Sequence, residues 1–90
     1  MTIEQDLKKE TEKWLNKIVV ERKKIIACSK KDFLKNIDAY ISDSEHFLNK
    51  SMMHDNASRN SDLIRAFEAV IWAWAYMEIG KDLKIIKDQV

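Results

Sequence analysis

The residues best suited to hold a metal ion are His46, His54, Asp43, Glu45 and Asp55. Asp43 and His46 stand three positions apart, the spacing with which carboxylate-bridged di-iron bundles present a ligand pair from one helix face. Such a centre needs a second His motif and two further inward carboxylates, and this chain supplies one half-motif. His46 and His54 are therefore expected on the solvated surface, with no metal and no cofactor. Cys28 has no histidine near it in sequence, so it reads as a small buried apolar side chain rather than a nucleophile. There is no Gly-x-Ser-x-Gly elbow, and one glycine in 90 residues rules out phosphate-cradling and dinucleotide-binding loops. Arg65, Glu68 and Glu78 are charges set in an apolar stretch. Arg65 and Glu68 have the i, i+3 spacing of a pair, and Glu78 sits at the rim of the core stripe. With no second convergent carboxylate, ion pairing is the expectation and catalysis is not: the chain reads as a non-enzyme.

Phosphate is the other ligand the residue types suggest. Residues 1–31 contain nine Lys/Arg against five acids, and Lys9, Lys13, Lys17, Lys24 and Lys31 fall on one side of a continuous helix. That row could follow a nucleic-acid backbone, making an RNA-binding adaptor the alternative reading. Asp6 and Glu10 lie close by, and no aromatic is interleaved to stack a base. The Arg-x4–6-His signature of small helical HEPN ribonucleases is missing, because no histidine follows Arg59 or Arg65.

The elements that must position these groups are helices. Ninety residues allow one domain. One Gly and no Pro leave little for tight turns, and a 46% apolar, 34% charged mixture at net charge +1 is that of a globular protein rather than a disordered one. A lone cysteine fits a reducing cytoplasm. No secretory leader is expected after Met1, and the charge-free run Ala69 to Met77 is far short of the roughly 20 residues that span a bilayer.

Ile3, Leu7, Trp14, Ile18 and Ile25 form one helical stripe, so helix 1 is expected over 2–27, capped by Thr2. Ser29 and Asp32 read as a capping-box-like start for helix 2, over 30–50. Its core side is Phe33, Ile37, Tyr40, Ser44 and Phe47, with Ser44 small enough to admit a close neighbour. Residues 51–61 read as a polar connection. Helix 3 is expected over 62–87, capped by Asn60 or Ser61 and running through Gly80. Three helices in order imply an all-α, up-and-down three-helix bundle with antiparallel neighbours.

Helix 3 carries two apolar lines. Leu63, Phe67, Val70, Trp74 and Met77 form the core stripe, while Ala69, Trp72, Tyr76, Ile79 and Leu83 lie nearly opposite, with Arg65 at their start. A bundle helix serves two neighbours, yet lines about 180° apart exceed what two neighbours cover. Arg65, Ala69, Trp72, Tyr76, Ile79 and Leu83 are therefore the expected partner interface, for a homodimer or another protein and not for a membrane.

The segments Ser42-Asp43-Ser44-Glu45-His46-Phe47-Leu48 and Asp62 to Gly80, with Arg65-Ala66-Phe67-Glu68-Ala69 followed by alternating Trp and Ala, resemble the short archaeal proteins grouped as domain of unknown function 357. The resemblance implies a closed three-helix bundle in an archaeal cytoplasm and no established activity. It is close over the second half of the chain and holds for helix 1 in character alone. The family commonly joins its last two helices by a short Lys-Gly-Asp-like turn, where this chain has the polar stretch between Lys50 and Asp62.

Overall fold

The computed structural model describes residues 2–53 and 55–89. The chain folds in the order α1 (Ile3–Arg22), β1 (Ile25–Ala27), α2 (Asp32–Ser51), α3 (Asn56–Asp82) and β2 (Ile86–Asp88). The helices form the expected up-and-down antiparallel bundle, a rod of 44 × 22 × 17 Å. A two-stranded ribbon, which the sequence did not suggest, closes one end.

α1 starts as its sequence dictates. The Gln5 N–H donates to Thr2 Oγ1 at 3.1 Å and the Thr2 N–H donates to Gln5 Oε1 at 3.2 Å, a reciprocal capping box. Glu4 and Asp6 sit in the first turn, at the positive end of the helix dipole. The helix ends at Arg22, short of the expected residue 27. β-branched Ile25 and Ile26 gain more by pairing with the chain's end than by another turn of helix. The ribbon is antiparallel, with Ile25, Ile26 and Ala27 opposite Asp88, Lys87 and Ile86.

α2 begins at Asp32, and the Ser29–Asp32 box does not form: Lys31 occupies the cap position without a side-chain bond, and the Ser29 N–H turns to Ile85 O at 3.4 Å. The connection between the last two helices is much shorter than 51–61. α2 runs to Ser51, and α3 begins at Asn56 behind Asp55, whose carboxylate accepts the Ser58 N–H at 3.2 Å. The polar residues 56–61 are thus the first turns of a 27-residue helix, not a loop, and neither Asn60 nor Ser61 is its cap.

At its far end α3 passes through Gly80, as expected, but stops at Asp82 rather than 87. The Ile85 N–H reaches Gly80 O at 2.8 Å and the Lys84 N–H reaches Lys81 O at 3.1 Å, the paired bonds of a Schellman stop. Lys84 holds the left-handed position at φ 59°. No glycine marks that stop, so it left no trace in the sequence.

The core runs along the rod from Leu48 and Leu63 through Leu15, Ile18, Ile37, Val70 and Met77 to Ile25 and Ile86. α2 and α3 approach most closely, because α3 presents Ala66, Ala73 and Gly80 to α2, and Ser44 donates its hydroxyl to Ala66 O at 2.7 Å. A Cβ on Gly80 would fall 2.5 Å from the Phe33 ring and 2.9 Å from an Ile86 side-chain carbon. α1 is fixed to α3 by Trp14 and Trp74, packed edge to face at 5.9 Å with the Trp74 indole N–H on Trp14 O at 3.1 Å. It is fixed to α2 by the forked Arg22–Asp38 pair at 2.6 and 3.0 Å.

Candidate functional site: the outward face of the third helix

Burial along α3 rotates away from the expected core stripe, toward the small residues. Leu63, Ala66, Val70, Ala73 and Met77 are within 1% of fully buried, while Phe67 and Trp74 are half-buried. The opposite side of the helix is left in water although it is apolar. Ile64, Ile71, Trp72, Ile79 and Leu83 are 45–65% exposed, spaced along nearly the whole helix. Lone surface hydrophobes need no explanation, but five share one face of α3, with the exposed Glu68 set among them.

Of the six expected interface residues, Arg65, Trp72, Ile79 and Leu83 lie on this face. Ala69 does not, and Tyr76, partly buried, stands at the face's edge with its ring 6.4 Å from that of Trp72. Ala69 is 8% exposed in the α2–α3 seam. Tyr76 stacks on Tyr40 at 5.4 Å and meets the edge of Phe33 at 5.6 Å. Ile64 and Ile71 lie on the face as well, and sequence reasoning passed them over because they project between the two lines it drew. Their spacing of seven, with Ala75 a further four along, was the available signal.

Beside the patch, a shallow groove of about 660 Å³ runs between α2 and α3. Trp72 stacks on Tyr40 at 6.2 Å and 22°, forming its wall at one end, and Phe47 forms it at the other. Arg65 lays its guanidinium over the Phe47 ring at 5.5 Å and makes no ion pair with Glu68. That contact is a cation–π interaction worth about 0.5–1 kcal/mol at an exposed site. Asp43 and Glu68 line the same groove, and both are exposed. Glu78 is exposed as well, whereas Asp62, near the start of α3, is 6% exposed.

The remaining candidates are scattered. His46 is exposed, its ring against Phe47 at 5.2 Å, and His54 lies outside the described residues. Among the described residues no three His, Cys, Asp or Glu side chains converge to hold a metal ion. Cys28 is exposed rather than buried, since it sits just beyond β1 with its N–H on Ile85 O at 2.7 Å. The expected lysine row is broken by the end of α1: Lys24 and Lys31 lie beyond it, and Lys24 pairs with Glu21 at 3.3 Å. Lys13 and Lys17 flank the Trp14 ring at 5.4 and 4.8 Å. No described helix is long and apolar enough to cross a membrane.

The fold has a solved counterpart. A crystal structure of a protein from Archaeoglobus fulgidus, assigned to the family DUF357, superposes with a TM-score of 0.81 at 41% sequence identity, covering 98% of this chain and 100% of that one. No family model matches this chain, and no curated protein does.

Proposed function

Because the chain belongs to the DUF357 family, whose name carries no activity, we propose a role from its surface: a cytoplasmic interaction module that binds a second copy of itself through the outward face of α3. The observation carrying this reading is the row of five large apolar side chains, each 45–65% exposed, on a helix whose other side already fills the core. Together they leave roughly 500 Å² of apolar surface in water, toward the upper end for the largest patch on a monomer.

The area suits a second copy. A stable interface takes about 800 Å² from each partner, so the apolar row would need its polar rim to complete that area. Removing half of the apolar area on both copies contributes about 12 kcal/mol at 25 cal/mol per Å². Association costs about 4–15 kcal/mol, so micromolar affinity is the most this balance gives, reached at the low end of that cost. A two-fold contact uses the same patch twice, and Trp72 near the centre of the row supplies the residue type most enriched in interface cores.

Ile64 and Ile71 point away from the bundle, so Ile64→Glu with Ile71→Glu should leave helicity and melting temperature nearly unchanged while abolishing self-association in sedimentation velocity. A wild-type chain that sediments as a monomer at about 100 µM, well above the expected dissociation constant, contradicts the reading.

A further inference from the structure

The ribbon end of the rod carries a charge that the rest of the molecule does not. Residues 21–38 and 80–90 hold nine Lys/Arg against five acids, whereas the remainder holds seven against ten. A chain of net charge +1 is thus a dipole, with about +4 at one pole and −3 elsewhere. Four of the polar cations have carboxylate partners: Arg22 with Asp38, Lys24 with Glu21, Lys35 with Asp32 and Lys81 with Asp88. Lys23, Lys30, Lys31, Lys84 and Lys87 are exposed and make no ion pair among the described residues.

Backbone bonds gather these five from both ends of the sequence. Lys87 stands opposite Ile26 in the ribbon, the Gln89 N–H reaches Lys24 O at 2.5 Å, and the Cys28 and Ser29 N–H groups both reach Ile85 O. Lys84 and Lys87 line a hollow of about 430 Å³ with Cys28. Lys23, Lys30 and Lys31, on either side of β1, and Lys84 and Lys87, beside and within β2, therefore share one end of the rod. Crowding like charges without partners is unfavourable unless an anion joins them. The position of Lys84 sharpens the point: its left-handed conformation is one that glycine takes freely and any other residue holds at a cost of about 1 kcal/mol.

We infer that this basic pole, and not the face of α1, is a binding site for the phosphodiester backbone of a nucleic acid. Phe33, the one aromatic within 21–38 and 80–90, is packed inward against Tyr76 and the core, so no base is stacked and binding is independent of sequence. The site is separate from the apolar face of α3 and needs no dimer.

The test is fluorescence anisotropy with a labelled mixed-sequence duplex DNA and, in a second arm, a single-stranded RNA, each at 50 and 200 mM salt. Five ammonium contacts give a slope near −4.5 for log K against log salt on duplex, a loss of about 10²- to 10³-fold between the two conditions, and a shallower slope on the single strand. The decisive variant is Lys84→Gly, which removes a cation and relieves the backbone at once. Its melting temperature should rise while its affinity falls about threefold or more, so lost binding cannot come from unfolding. Adding Lys87→Gln and Lys30→Gln should weaken binding at least tenfold further, and Lys13→Gln with Lys17→Gln should leave it within twofold. The inference is overturned if the α1 variant loses as much as the pole variant, if the salt slope is shallower than about −1, or if phosphatidylserine vesicles bind and neither nucleic acid does.

Discussion

Gly80→Ala separates the packing argument from helix propensity, because the two predict opposite signs. In an open helix the change stabilises by about 1 kcal/mol. Here the new methyl would fall 2.5 Å from the Phe33 ring, 2.9 Å from Ile86 Cγ1 and 3.0 Å from Ile86 Cδ1. Ile86 is 1% exposed and pinned by its place in β2, so it cannot withdraw. Phe33 can turn only by giving up its edge contact with Tyr76. Overpacking of this kind costs about 1–3 kcal/mol and, at contacts this short, about 2–3 kcal/mol, which leaves a net loss of about 1–2 kcal/mol after the propensity gain. For a domain of this size that is a fall of roughly 5–10 °C in melting temperature, readable by circular dichroism, with an unchanged urea m-value. Phe33→Leu in the same chain should recover part of the loss, since the ring edge is the nearest obstacle, and the two substitutions should couple by 0.5 kcal/mol or more, about the floor for residues in contact. An alanine variant more stable than the parent would refute the account of how α3, α2 and the ribbon meet.

Other consequences can be measured separately. Cys28 is exposed, so one equivalent of thiol should react with a disulfide reagent in the native protein without denaturant, and a thiol seen only after unfolding would contradict the position of the ribbon. Asp55→Ala should lower stability by about 1 kcal/mol through loss of the α3 cap, whereas Asn60→Ala and Ser61→Ala, inside the helix, should change it by less than about 0.5 kcal/mol. Ser44→Leu should destabilise by about 1–3 kcal/mol or more, because it forces α2 and α3 apart and discards the bond to Ala66 O.

The helical class, the three-element order and the close approach at Ser44 were legible in the sequence because each rests on a local signal: a 3.6-residue stripe, an N-cap, one small residue in a large-residue row. What was not legible depended on contacts between distant segments. β1 and β2 are three residues each, too short for a periodic pattern, and form only because residues 25–27 and 86–88 meet. The helical start at Asn56 was hidden by polar residues whose types resemble a loop. Lys84 ends α3 without the glycine that advertises such a stop.

On α3 itself, drawing the core through the largest side chains misassigned its phase by about 40°, roughly a ninth of a turn. Ala66, Ala73 and Gly80 are the residues against α2, and a hydrophobic stripe gives them little weight although their smallness sets the distance. Ala69 was therefore credited to an outer face it does not reach, Tyr76 stands at that face's edge beside Trp72, and Ile64 and Ile71 were left out of it. The basic pole escaped notice for a related reason: its lysines come from residues 23–31 and 84–87, and only the ribbon brings them together.

The measurement bearing most directly on the proposed role is the molar mass of the intact chain by sedimentation equilibrium, from about 1 to 100 µM, a range that brackets micromolar affinity. The account predicts a monomer–dimer equilibrium with its midpoint in that range, shifted wholly to monomer by Ile64→Glu with Ile71→Glu while the circular dichroism spectrum is retained. A single species of 10.6 kDa at every concentration would contradict it.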